Sequence, residues 1–154
     1  MSPEKLREIA GAFGPGGAFQ DAGAELVAFA VTVKAKQVGP VRIELPCRPS
    51  RSWDMYAAID APLSLTGGAR ARLSTGWSFR VPEGFEVTAI SRPELALEHG
   101  VTVLAYDQGE DGEPFSVILH NRDRQPYTIA PRTRIARAVV VPVAVLRAFE
   151  EARD

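Results

Sequence analysis

Cysteine is nearly absent from this chain, with Cys47 the one thiol in 154 residues. A lone thiol can neither staple a fold nor build a thiolate metal site, which excludes disulfide scaffolds and zinc ribbons. An excess of charge of one sign is also lacking. The 18 Lys plus Arg nearly balance the 19 Asp plus Glu, and a formal charge of -1 gives no overall pull toward nucleic acid or acidic membranes. Neither partner is expected, and any charge-based function must be local. The longest uncharged apolar run, residues 138–146, falls far short of the ~20 residues needed to cross a bilayer. Met1-Ser2-Pro3-Glu4 does not resemble a secretory signal, so the expected compartment is the cytoplasm.

What is present fits one globular domain with a sizeable core, at 45% hydrophobic and 24% charged residues. Fifteen of the 18 basic residues are Arg, which suits anion recognition, although a GC-rich genome gives the same bias. The 13 Gly and 12 Pro are spread between short apolar runs, a spacing that favours many strands. Ser2, Pro3, Leu6, Ile9 and Ala10 predict a short N-terminal helix. The following Gly14-Pro15-Gly16-Gly17 reads as a linker, because no strand precedes it and no Lys-Ser/Thr pair follows. Residues 26–36 have strand-like spacing, and Val41, Ile43 and Leu45 alternate with Arg42 and Glu44.

From Trp53 onward the rhythm predicts strands at 54–58, 63–65, 70–74, 77–81, 86–90, 101–105, 115–120, 127–129 and 135–141. Such spacing without intervening helices argues an all-β sandwich or barrel with antiparallel pairing. Leu146 and Phe149 lie three apart amid charged residues and predict a short C-terminal helix. The expected organisation is an N-terminal helix and extension over 1–39, a β domain over 40–143 and a helical tail over 144–154.

The segment Ser52-Trp53-Asp54-Met55-Tyr56-Ala57-Ala58, followed by Leu63-Ser64-Leu65 and Leu73-Ser74-Thr75-Gly76, is similar to the opening of trimeric dUTPases. The likeness continues through Val81-Pro82-Glu83-Gly84-Phe85, Leu95-Ala96-Leu97-Glu98-His99-Gly100-Val101-Thr102-Val103-Leu104 and Val117-Ile118-Leu119-His120-Asn121. It ends with Tyr127-Thr128-Ile129 and Arg134-Ile135-Ala136-Arg137-Ala138-Val139-Val140-Val141-Pro142. The resemblance implies a jelly-roll-like β-clip barrel and a homotrimer whose sites are assembled at subunit interfaces from five motifs. It implies hydrolysis of dUTP to dUMP and pyrophosphate, with Mg²⁺ held mainly by the triphosphate. Magnesium is therefore expected only if a nucleotide phosphate is the ligand, and the cofactor is otherwise open.

The chain departs from that pattern at several motifs. Asp54 keeps the first motif's carboxylate, but Arg51-Ser52 replaces the usual Ala-Gly. The second motif, Pro-Arg-Ser-Gly/Ser-Leu-Ala in the family, reads Ser91-Arg92-Pro93-Glu94-Leu95-Ala96. Arg92 survives, whereas Pro93 offers neither the hydroxyl nor the N–H of the phosphate-binding serine. Glu94 sets a carboxylate where a triphosphate would sit, a repulsion on the order of a few kcal/mol at intermediate dielectric. The third motif, which carries a water-activating Asp and a Tyr, is about three residues shorter here. Asp107 and Asp111 are the candidate replacements for that base. In the fourth motif Arg137 replaces a Gln, and the Gly- and Arg-rich closing arm has no counterpart.

The candidate catalytic residues are accordingly Asp54, Glu94, Asp107 and Asp111, and the candidate ligand-binding residues Tyr56, Arg92 and Arg137. No metal site is assigned. Glu94, Glu98, Asp107, Glu110, Asp111 and Glu113 lie in a stretch without Lys or Arg; they could suit a hard cation or an acid/base pair, but the loop from Gly109 to Pro114 favours a solvated turn. Trp53 and Tyr56, three apart on a strand, should face opposite ways, one toward a pocket and one toward the core.

Three functions fit: a divergent dUTPase-like protein whose interface pocket binds or transforms another small molecule, a non-catalytic trimer acting through partners, or a dUTP-hydrolysing enzyme. Two geometries separate pocket from no pocket. Arg92 and Glu94 could both point into a cavity, or Arg92 could neutralise Glu94 internally.

Overall fold

The period-two apolar pattern is realised as ten strands in four small antiparallel sheets, seen in a computed structural model that describes residues 31–45, 50–110 and 112–144. The strands are β1 (Lys34–Gln37), β2 (Trp53–Tyr56), β3 (Leu63–Leu65), β4 (Arg70–Ser74), β5 (Trp77–Arg80), β6 (Phe85–Ile90), β7 (Val101–Asp107), β8 (Ser116–Asn121), β9 (Tyr127–Ile129) and β10 (Arg134–Pro142). The two larger sheets have the orders β2-β10-β6 and β4-β8-β7, and the smaller ones pair β1 with β5 and β3 with β9. The fold is all-β, and the described sheets do not join into one closed ladder.

Each central strand shows how the sequence drives burial. In β8, Val117, Leu119 and Asn121 turn inward while Ile118 and His120 face outward, so one face reaches the core and the other meets solvent. Met55, Leu65, Leu73, Val87, Val101, Phe115, Ile129 and Ile135 join Val117 and Leu119 in a single cluster. Asn121 is fully buried and satisfied: its Nδ2 donates to the carbonyls of Leu65 and Gln125, both at 2.8 Å.

Two sequence expectations are corrected. Residues 41–45 form no strand; Ile43 is buried, but the carbonyls of Val41 and Arg42 accept side-chain donors, Gln37 Nε2 and Arg132 Nε, in place of a ladder. The second is a helix, α1 (Pro93–His99), between β6 and β7, where none was expected. Pro93 suits the first turn, having a preset φ and no N–H to leave unpaired. Gly100 ends the helix in the left-handed region at φ 63°, its N–H bonded to the Leu95 carbonyl. A Cβ there would stand 3.0 Å from the Asp123 backbone nitrogen, so only glycine fits without a shift.

The expected N-terminal and C-terminal helices, the strand pattern over 26–30, Cys47 and Asp111 lie outside the described residues. Among the described residues, no helix is long and apolar enough to cross a membrane.

Candidate functional site

Asp54, Arg92, Glu94 and Arg137 are brought together by β2, β10 and the start of α1. β10 lies between β2 and β6, and its register sets Arg137 opposite Asp54 on one side and Ile90 on the other. A bulge between Arg134 and Ala136 inserts an extra residue, so Ile135 and Ala136 are both buried. Arg134 and Arg137, three apart, therefore stand on the same outward face, opposite Tyr56 and Asp54 respectively. Without the bulge they would point to opposite sides.

Arg92 sits at the N-cap of α1 and is only 6% exposed. Its guanidinium is shared between two carboxylates: Nη1 donates to Asp54 Oδ1, and Nη2 donates to Glu94 Oε1 at 2.7 Å. Arg134 adds a longer contact, Nη1 to Asp54 Oδ2 at 3.7 Å. A buried guanidinium needs such partners, because an uncompensated charge away from water is costly. Glu94 is half exposed by contrast, with its side chain 56% accessible. Its carboxyl is held below the ordinary value of 4.5, first by a hydrogen bond from its own backbone N–H, then by Arg92, with a smaller contribution from the Arg137 charge. At the start of α1, Pro93 has no N–H to offer an incoming anion.

The rest of the expected set lies elsewhere. Tyr56 shares the outward face of β2 with Asp54, while Trp53 turns to the core and meets Phe79 at 5.6 Å between ring centroids. Asp107 ends β7 in the other large sheet and is engaged locally: Arg72 Nη2 donates to Oδ2 at 2.9 Å, and the Gly109 N–H donates to Oδ1 at 2.9 Å. The neighbouring Gln108 Nε2 donates to Glu86 Oε1 at 2.6 Å. Tyr106 also reaches Glu86, and its ring stacks on Phe115 at 5.6 Å. Burial first, and then the Glu86 charge, push the Tyr106 hydroxyl above its ordinary 10.0. Within one chain, the Asp107 hairpin is thus tied to β4 and β6 rather than to Asp54.

Arg134 and Arg72 were not among the candidate residues drawn from the sequence. The bulge that turns Arg134 toward Asp54 leaves no mark in hydrophobic periodicity, and Arg72 lies 35 positions from its partner. Among the described residues, no group of three or more His, Cys, Asp or Glu side chains could hold a metal ion. The Asp54 carboxylate is occupied by two guanidiniums, so these residues do not form a Mg²⁺ cradle of their own.

Comparison with known proteins places this arrangement. The dUTPase family model matches residues 26–154. A deoxyuridine 5'-triphosphate nucleotidohydrolase of Rhizobium leguminosarum bv. trifolii is 38% identical over 119 residues, covering 71% of this chain and 76% of that protein. The enzyme of the same name from Chlamydia pneumoniae is 40% identical over 94 residues, 58% of this chain and 64% of that protein. Among solved structures, the dUTPase of Staphylococcus bacteriophage 80alpha superposes with a TM-score of 0.65 at 17% identity, covering 80% of this chain and 99% of the phage protein. The dUTPase of phage phi11 of S. aureus gives 0.63 at 16% identity, with 80% and 97% covered. The family model and the Rhizobium relative together establish that this chain belongs to the dUTPase family.

Proposed function

We propose that this protein is a trimeric dUTPase-family member whose phosphate subsite is neutralised from within, so that its pocket binds or transforms a small molecule other than dUTP. The observation that carries this reading is the Asp54–Arg92–Glu94 cluster, in which both Nη atoms of a buried arginine are taken by the chain's own carboxylates. A triphosphate would have to displace Glu94 and then lie beside it, and Pro93 provides no N–H in compensation. A neutral or cationic ligand meets no such penalty. Leu97, 88% exposed, and Leu104, 53% exposed, leave aliphatic side chains in water in the single chain, which supports burial between subunits.

A second reading, hydrolysis of dUTP to dUMP and pyrophosphate, is favoured by the relatives, which carry that activity in their names at 38–40% identity. Asp54, Arg92 and Arg134 are compatible with it. In that reading Glu94, half exposed, swings off Arg92 and frees Nη2 for a phosphate oxygen, and Asp107 leaves Arg72 to act as base. The relatives favour hydrolysis, and the residues at the site favour the altered ligand.

Calorimetric titration with a non-hydrolysable dUTP analogue in Mg²⁺ separates the two. The first reading expects no saturable binding by the native protein and recovered binding by a P93S/E94G variant. Micromolar binding by the native protein would decide for hydrolysis.

A further inference from the structure

A second arginine-lined site opens beyond the last residue of β2. A cavity of about 450 Å³ is lined by Arg42, Ile43, Glu44, Tyr56 and Arg132, a volume within the range of small-ligand pockets. Its cations differ from Arg92. Arg132 donates Nε to the Arg42 carbonyl at 3.3 Å, and among the described residues no carboxylate pairs with either guanidinium.

The backbone of Arg132 is also unusual. It has φ 59°, the one positive φ outside glycine among the described residues, a conformation that disfavours any side chain with a Cβ. The turn is fixed by main-chain bonds, Arg132 N–H to the Ala57 carbonyl at 2.9 Å and Ala57 N–H to the Thr133 carbonyl at 2.8 Å. These bonds need no arginine, and glycine would relieve the strain. Arg132, held there at a conformational cost, lines the cavity together with a second arginine, a tyrosine and a glutamate.

We infer that this cavity binds a phosphorylated ring compound of the mononucleotide class. Arg42 and Arg132 hold the phosphate, Tyr56 stacks on the ring, and Glu44 accepts a hydrogen bond from a ring amino group. Glu44 also repels a bare anion, so the ring supplies selectivity. The site uses none of Asp54, Arg92 and Glu94, and it stands whether or not dUTP is hydrolysed.

Titration of the full chain with cytidine monophosphate, uridine monophosphate and inorganic phosphate, followed by NMR or calorimetry, tests it. Saturable cytidine monophosphate binding is expected in the sub-millimolar range, with uridine monophosphate and phosphate each at least about tenfold weaker. R132G should weaken cytidine monophosphate at least about tenfold while its Tm stays level or rises, the signature of a ligand role rather than a folding role. R70A, an exposed change on β4 outside both clusters, should leave this affinity unchanged. No saturable binding of cytidine monophosphate, unchanged affinity in R132G, or loss of affinity in R70A would each overturn the inference.

Discussion

Two carboxylate–arginine arrangements among the described residues use the same chemistry under opposite solvation. Arg92, its side chain 7% exposed, is locked between Asp54 and Glu94, whereas the Arg72–Asp107 pair is about half exposed on both sides. In the first, removal of one partner strands charge away from water; in the second, water replaces whatever is lost. The difference bears on function. The buried cluster joins residues of the first, second and fourth motifs, and under the proposed reading its closure decides what can enter, while the exposed pair anchors a hairpin.

This contrast is open to direct attack. The largest effect is expected for R92L, which leaves Asp54 with only the longer Arg134 contact. Unfolding in urea should show a loss of about 2–4 kcal/mol, below the full value for a buried pair because Asp54 is partly exposed. Next comes assembly. Light scattering should give a trimer for the native chain, and L97E, which sets a charge on the exposed face of α1, should shift it toward monomer. E94Q is expected to act through pH. Because the folded-state pKa of Glu94 lies below 4.5, its stabilising contribution is complete above that value and fades as pH falls through the folded pKa. Thermal scans between pH 3 and 7 should therefore show a shallower acid limb in E94Q than in the native protein. R72A should have the smallest effect, under about 1 kcal/mol and diminished by salt.

Much of the framework was legible because strands announce themselves by period two and by Gly and Pro at their ends. β3, β4 and β9 fall at the expected positions, and the strand next to Asp107 overran its expected end only because β7 continues along β8 to Ser116. Helix α1 was missed because one residue, Leu95, is buried along it, too little to print a 3.6-residue period. The site was legible in part. Asp54, Arg92, Glu94 and Arg137 were found through the resemblance, and internal neutralisation of Glu94 by Arg92 was one of two geometries the charges allowed. Asp107 was not separable from them, since what decides its role is Arg72 across the sheet, a tertiary contact with no local signature. Arg134 depends on a bulge, and Arg132 on a left-handed turn at a residue that is not glycine; neither is written in composition or spacing.

The claim that Glu94 closes the phosphate subsite is tested most directly by pyrophosphate release from dUTP in the presence of Mg²⁺, measured in steady state on the native protein. Closure predicts release indistinguishable from the protein-free control. Turnover on the order of 1 s⁻¹ or faster, the ordinary range for an enzyme, would contradict it.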